Sequence, residues 1–197
     1  MQTPKHGLLL HTSNAFGLNA IGGFMRLMLF LLLVASEAVV PAEPCVCNTS
    51  ACKQQQAIRA IQGKLEQYYK QLPKRRQKPP PAQLAPKLHR AWQEHRVHPE
   101  AVMRLIAVES NFNALAINHR TADYGLMQIN ARTAKALNIH KNCLMQWECN
   151  LQAGIAIMAY MQKRGNLCRY NVGVRPLVGK RLSICNAYNR KLASINL

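Results

Sequence analysis

The sequence has few acidic residues. Its 197 residues include 8 Asp and Glu against 26 Lys and Arg, for a formal net charge of +18. A charge of this sign attracts nucleic acid, an anionic membrane surface or an acidic wall polymer, and does not by itself select among them. Because carboxylates are so scarce, each of them is a conspicuous candidate for chemistry.

Several common functional patterns are also missing. No H-x-x-x-H pair, no C-x-x-C pair and no phosphate-binding glycine loop occurs in the chain. Cys45, Cys47 and Cys52 have a ligand-like spacing but lack a fourth ligand nearby, which favours disulfides over metal. The basic run in residues 73–86 lacks the interleaved aromatic residues of a single-strand nucleic-acid groove. We therefore predict no metal and no cofactor, and we do not expect a nucleic-acid partner.

No apolar run is long enough for a permanent membrane span, which needs about 20 residues. The longest, LMLFLLLVA at residues 27–35, follows Arg26 and precedes a small-x-small site at residues 40–42. This layout predicts a secretory signal peptide over residues 1–42, with Met25 as an alternative start. An N-terminal anchor helix is the second interpretation.

Seven cysteines fit an exported protein, because disulfides persist in oxidising compartments. Cys143, Cys149, Cys168 and Cys185 are disulfide candidates in the C-terminal part, and their three possible pairings remain open. The odd seventh cysteine is expected to leave a free or intermolecular thiol.

Two further segments follow the predicted signal peptide. Residues 43–83 combine cysteines, an amphipathic helix over residues 52–72 and a basic, proline-rich linker that continues to residue 86. For this helix, packing on the domain is favoured over pairing with a partner or lying on a membrane. Residues 84–197 form the candidate domain.

Helical periodicity dominates the candidate domain. It predicts helices over residues 84–97, 99–110, 150–165 and 179–195, with a short helix at TAKAL and a loop through residues 118–120. Met158 and Met161 are interpreted as core residues. Strand signals are weak apart from residues 124–130, so we predict a mainly α (α+β) fold with a small β element.

Glu109 closes an apolar helix. Residues that share its helical face are Ile106, Leu105 and Val102, so the carboxyl is expected to point into the domain. Burial and the negative end of the helix dipole both favour the protonated carboxyl, which is what a general acid requires. The alternative is a surface glutamate that reaches water or pairs with a cation.

The segment GLMQIN, residues 125–130, follows a polar loop. Gly125 would let backbone approach a ligand closely. Gln128 and Asn130 offer amide groups that suit sugar hydroxyls and N-acetyl groups. Leu126, Met127 and Ile129 would anchor the segment in the core.

Three separated motifs occur in one order: ESNFN…DYGLMQIN, then CNLQAG, then RYNVG. In order and spacing they resemble the lytic transglycosylase (SLT-type) branch of the lysozyme-like superfamily. The chain is most similar to the small members that accompany type III or type IV secretion or conjugation systems. The resemblance covers roughly residues 95–190 and implies a lysozyme-like fold with cleavage of the MurNAc–GlcNAc bond of peptidoglycan.

The resemblance also implies a set of site residues. Glu109 matches the catalytic glutamate of the family, and Gly154 belongs to the later N-x-x-x-G motif. The substrate-binding prediction comprises Ser110, Asp123, Tyr124, Gly125, Leu126, Met127, Gln128, Asn130, Asn150, Tyr170 and Asn171. Ala114 and Val172 depart from the residues usual in the family.

The role of Asp123 bears on which of two reactions is expected, transglycosylation or hydrolysis. The implied transglycosylase mechanism uses one carboxyl group and yields a 1,6-anhydro product, whereas retaining hydrolases use a second carboxylate about 5 Å away. Asp123 stands where animal-type lysozymes keep their second acid. A structural role, in which Asp123 binds nearby backbone N–H groups of the turn, is favoured over an electrostatic role in the cleft.

The sequence thus predicts an exported peptidoglycan lytic transglycosylase of the bacterial periplasm or cell envelope. Its expected partners are glycan strands, components of an envelope-spanning secretion or conjugation apparatus, and transiently a membrane surface. A hydrolytic lysozyme that uses Glu109 with Asp123 is one alternative. A non-catalytic peptidoglycan-binding assembly factor is the other.

Overall fold

The computed structural model describes residues 47–74, 76–173 and 175–197. The predicted signal peptide, with Met25, and Cys45 lie outside the described residues. The helices are α1 (Ser50–Tyr69), α2 (Pro81–His95), α3 (Pro99–Glu109), α4 (Ala131–Ala136), α5 (Trp147–Lys163), α6 (Arg169–Val172) and α7 (Gly179–Ala193), with a 3-10 helix at Lys141–Met145. No helix in this part of the chain is long and apolar enough to cross a membrane.

Helix α3 lies at the centre of the helical core and packs against α2 and α7. Its start is set by Pro99, which suits the first helical turn, and by the His98 ring, whose Nδ1 accepts from the Glu100 N–H at 3.3 Å. Val102 and Ile106, which precede Glu109 on one face, are fully buried. The apolar face of α3 therefore carries its last residue toward the interior.

Helix α1 packs against α2, as predicted. The Thr49 side chain caps it by accepting from the Cys52 N–H at 3.2 Å, and Ile61 and Leu65 join the main core. Helix α1 precedes the predicted domain boundary at residue 84, yet it shares one core with the later helices. The boundary therefore stays a prediction from the sequence.

The proline-rich linker is shorter than predicted. Helix α2 begins at Pro81 rather than at residue 84, because proline is well suited to the first turn of a helix. Helix α1 ends at Tyr69 rather than at residue 72, ahead of Pro73, which disfavours helical backbone in the residue before it. The connection between these two helices is therefore residues 70–80.

The β element is an antiparallel three-stranded sheet in the order β1 (Ile117–Asn118), β2 (Asp123–Tyr124), β3 (Ile129–Asn130). It begins earlier than residue 124, and the predicted loop therefore loses Asn118 to β1. Asp123 lies between Asn118 and Asn130 across the sheet. The mainly α fold with a small β element is confirmed.

Three disulfides are present among the described cysteines: Cys47–Cys52, Cys143–Cys149 and Cys168–Cys185. They resolve the pairing of the four C-terminal cysteines. The second bond links the 3-10 helix to α5, and the third links the start of α6 to α7.

Two helical glycines provide a test of packing. A Cβ on Gly154 of α5 would lie 2.8 Å from the Cβ of fully buried Met127, whereas a Cβ on Gly63 of α1 would meet nothing within 4 Å. We expect Gly154→Ala to lower the free energy of unfolding by about 1–3 kcal/mol through overpacking. Gly63→Ala gains the same helix propensity without the clash, and it should raise the free energy of unfolding by roughly 0.5–1 kcal/mol. Urea denaturation measures both, and equal effects of the two substitutions would contradict the packing.

Candidate active site

An open cleft of about 490 Å³ runs along the sheet and is closed on its other side by α5 and α6. Its lining residues are Glu109, Thr121, Asp123, Gln128, Ile129, Asn130, Thr133, Ile157, Met161, Tyr170, Asn171, Val172 and Gly173. Glu109 and Asp123 thus face one cleft. Within the described ranges, no three His, Cys, Asp or Glu side chains are grouped so as to hold a metal ion.

Glu109 is the last residue of α3, and its carboxyl meets a hydroxyl from α7. The Tyr188 hydroxyl donates a hydrogen bond to Glu109 Oε1, and the Tyr188 side chain is 7% exposed. The sequence analysis missed Tyr188. A signal was present, because Cys185, Tyr188 and Leu192 recur on one face of α7 and all three are buried.

The environment of Glu109 favours its protonated form. Burial raises the pKa of Glu109 to about 7. The hydrogen bond from Tyr188 and the charge of Lys191 oppose this rise in pKa, while the charge of Asp123 adds to it. A carboxyl with a pKa near neutrality can both donate and accept a proton under physiological conditions.

Asp123 is held by two side chains, one from β3 and one from the turn that precedes β2. Its Oδ1 accepts from Asn130 Nδ2 at 2.8 Å, and its Oδ2 accepts from the Thr121 hydroxyl. The expected bonds to backbone N–H groups of a turn are replaced by these side-chain bonds, because Asp123 lies in β2 opposite Asn130. Asp123 therefore combines a structural role in the sheet with a negative charge at the cleft.

Ser110 connects the end of α3 to the segment GLMQ. Its hydroxyl donates to the Leu126 carbonyl oxygen at 2.6 Å, and Ser110 is itself buried. Gln128 has a left-handed backbone with φ of 48°, and its side-chain amide donates to the carbonyls of Ala116 at 3.1 Å and Gly125 at 3.0 Å. These bonds fix the cleft wall beside Glu109.

Asn150 of α5 supports the same wall from behind. Its Oδ1 accepts from the Met127 N–H at 2.8 Å, and its Nδ2 donates to the Tyr124 and Leu144 carbonyls, both at 2.9 Å. Asn150 is fully buried, so these bonds satisfy an amide that would otherwise be costly to bury. Gly154, one turn later on the same face, leaves room for Met127.

The sequence suggested that Gly125 would let backbone approach a ligand closely, and in the structure Gly125 is not among the residues that line the cleft. A Cβ at this position, where φ is 77°, would collide with the Leu144 carbonyl oxygen and lie 2.8 Å from Asn150 Cγ. Glycine is required here because the wall segment packs tightly against the start of α5 and the 3-10 helix before it.

Tyr170 of α6 closes the opposite side of the cleft. Its hydroxyl donates to the Met127 carbonyl oxygen at 2.9 Å, and burial raises its pKa well above the usual value. Asn171 follows it at the cleft and is exposed. The Cys168–Cys185 disulfide links the helix that carries Tyr170 to the helix that carries Tyr188.

A comparison of the sequence with protein families identifies one matching family. The family model described as the transglycosylase SLT domain matches residues 88–195. The chain belongs to this family. No match was found among curated proteins or among solved structures.

Membership gives the SLT domain a lysozyme-like α+β fold, peptidoglycan as its substrate and lytic transglycosylase as its general enzyme class. Because peptidoglycan lies outside the cytoplasm, the site of action is extracytoplasmic. Residues 47–87 of the described chain precede the matched range.

In the structure, the residues predicted to bind substrate form two groups. Those that line the cleft are Asp123, Gln128, Asn130, Tyr170 and Asn171. Those that lie behind its surface are Ser110, Tyr124, Gly125, Leu126, Met127 and Asn150. The second group holds the wall in place, because its members face the core or pair with backbone.

Other residues line the cleft without having been predicted for it: Thr121, Ile129, Thr133, Ile157, Val172 and Gly173. Met161, interpreted as a core residue, is half-buried and lines the cleft, whereas Met158 is fully buried as predicted. Helical periodicity identifies the face of α5 that points inward. It does not show where along the helix that face stops packing in the core and begins to line the cleft, because this depends on the sheet opposite.

The hydrogen bond between Tyr188 and Glu109 can be tested by measuring the pKa of Glu109 with carboxyl carbon NMR. We expect a pKa of about 7 in the wild type. Tyr188→Phe should raise it further, because the lost bond favours the carboxylate and lowers the pKa. Tyr160→Phe, at an exposed tyrosine of α5, is the matched control and should leave the pKa unchanged. A lower pKa in Tyr188→Phe would contradict the assignment.

Proposed function

We propose that the protein cleaves the MurNAc–GlcNAc bond of peptidoglycan by a lytic transglycosylase mechanism that uses Glu109 as its single catalytic carboxyl group. The observation that carries the proposal is the half-buried Glu109 side chain at the cleft, with a pKa of about 7 and a hydroxyl donor on Oε1. Membership of the SLT family supplies the substrate and the enzyme class.

The first step is proton donation. Because the Tyr188 hydroxyl occupies Oε1 as a donor, the transferable proton of Glu109 resides on Oε2. Glu109 gives this proton to the glycosidic oxygen as the bond from that oxygen to C1 of MurNAc breaks. The N-acetyl group of the sugar stabilises the cationic centre at C1.

The second step returns the proton. The 6-hydroxyl of the same MurNAc attacks C1, and the Glu109 carboxylate takes the hydroxyl proton as the 1,6-anhydro ring closes. No water is consumed, and Glu109 ends in its starting state. The Tyr188 hydroxyl stabilises the carboxylate between the two steps, so one carboxyl serves as acid and then as base.

The surroundings of Asp123 favour this mechanism over hydrolysis with two carboxylates. Both oxygens of Asp123 accept hydrogen bonds, one from Asn130 in β3 and one from Thr121 in the turn before β2. A nucleophilic carboxylate must instead present an oxygen to the anomeric carbon. We assign Asp123 the roles of ordering the sheet and of contributing negative charge near the cationic centre.

Digestion of purified sacculi tests the chemistry. Wild type should release muropeptides with 1,6-anhydro ends, identified by mass spectrometry, and Glu109→Gln should lower the release rate by roughly 10²–10⁴-fold because it removes the acid and base. Asp123→Asn should retain partial activity. Glu94→Gln, at an exposed glutamate of α2, is the matched control and should retain the wild-type rate.

Other outcomes would contradict the proposal in distinct ways. Reducing ends would establish hydrolysis. Complete loss of activity in Asp123→Asn at intact fold would make Asp123 a catalytic partner. Binding of sacculi without any release by wild type would favour the non-catalytic assembly factor.

The biological role that we propose is local opening of the wall for a secretion or conjugation apparatus. The net charge of +18 suits binding to an anionic wall polymer, and the motifs are most similar to small members that accompany such systems. Cells without the protein should assemble less of the apparatus, as counted by electron microscopy. Wild type should restore assembly and Glu109→Gln should not; restoration by both would leave only a non-catalytic role.

A further inference from the structure

The loop that follows Glu109, residues 110–114, has an unusual backbone. Asn111 and Phe112 both have positive φ, 51° and 59°, in the left-handed region. A bulky residue such as Phe rarely adopts this conformation, which persists only where the surrounding structure holds it. Other parts of the chain must therefore hold this backbone in place.

Much of the support comes from Tyr68 and Tyr69 at the end of α1 and from Arg76 and Gln77 in the connection to α2. The fully buried Phe112 ring lies against Tyr68 and Tyr69, with ring centroids 5.4 Å and 5.2 Å away. The Tyr68 hydroxyl lies 3.5 Å from Asn111 Oδ1. Aromatic edges of this kind hold a ring in one orientation.

The backbone of the same loop is bound at both ends. Arg76 Nη1 donates to the Ser110 carbonyl oxygen at 3.3 Å, and the Ala114 N–H donates to the Gln77 carbonyl oxygen at 2.8 Å. We call Tyr68, Tyr69, Arg76 and Gln77 the clamp. All of it precedes residue 88, where the SLT match begins.

The loop held by the clamp is joined directly to the site. Ser110 follows Glu109 in the chain, and its hydroxyl donates to the Leu126 carbonyl in the cleft wall. A shift of Ser110 would therefore move the acid and the wall together. Displacement of a catalytic group by about 1 Å can lower a rate by roughly 10²-fold.

We propose that Tyr68, Tyr69, Arg76 and Gln77, outside the matched SLT range, act as a clamp that positions Glu109 through the loop 110–114, with Arg76 and Tyr69 as positioning residues. The proposal rests on the proposed function, since it assigns these residues to glycan cleavage. It gives the N-terminal segment a role in the reaction without contact with substrate.

The test measures initial rates on sacculi over a range of sacculus concentrations, together with hydrogen exchange. Arg76→Gln and Tyr69→Ala should lower kcat by roughly 10-fold or more and leave KM within about 2-fold, because positioning affects the chemical step. Amide exchange in residues 110–116 should become faster, while exchange in α5 stays at the wild-type rate.

Matched variants isolate the contacts. Tyr69→Phe keeps the ring against Phe112 and should recover most of the activity lost in Tyr69→Ala. Arg76→Lys keeps a cationic donor and should recover part of the activity lost in Arg76→Gln. Lys74→Gln removes an exposed charge from the same segment and should have wild-type kinetics and exchange.

Each remaining outcome overturns the clamp. Faster exchange in the loop with unchanged kcat would make the contacts purely structural, and unchanged exchange would mean that the clamp does not hold the loop. Faster exchange in α5 as well would indicate loss of the fold rather than of positioning. Failure of the proposed function is distinct, because wild type itself would then release no anhydro muropeptides.

Discussion

Partial burial of the Glu109 carboxyl at the end of α3 is the constraint on which the rest of the site depends. Removing a carboxylate from water is costly, and here the cost appears as a pKa raised to about 7. The Tyr188 hydroxyl offsets part of it, so α7 must pack against α3 in the register that delivers this hydroxyl. The Cys168–Cys185 bond then ties α6, which carries Tyr170, to the same helix.

The cleft wall beside this carboxyl depends on one buried amide. Asn150 binds three backbone groups of the sheet and the 3-10 helix, and Gly154 leaves the space that Met127 fills. A buried polar network is stabilising only when its members are satisfied, and all three bonds of Asn150 lie between 2.8 and 2.9 Å. The three hydrogen bonds of this buried amide therefore hold the wall in place.

Helix phase was the most informative sequence signal. The burial of Val102, Leu105 and Ile106 directs Glu109 inward, and that direction was predictable from spacing alone. The sequence motifs also identified most of the polar cleft residues. They did not separate residues that line the cleft from residues such as Ser110 and Asn150 that hold it, because a motif records proximity to a site and not the side of the backbone on which a side chain lies.

The sequence by itself determined the helical content, the inward direction of Glu109, the family motifs and the scarcity of other acids that could take its place. Only the tertiary structure decided which hydroxyl meets Glu109, since Tyr188 lies 79 residues away in the chain. It also decided the disulfide pairing, the side-chain partners of Asp123 and the support that the clamp gives to the loop after Glu109. The contacts of Tyr188 and of the clamp join segments distant in sequence, and no local periodicity encodes them because they depend on how packed elements place their faces against one another.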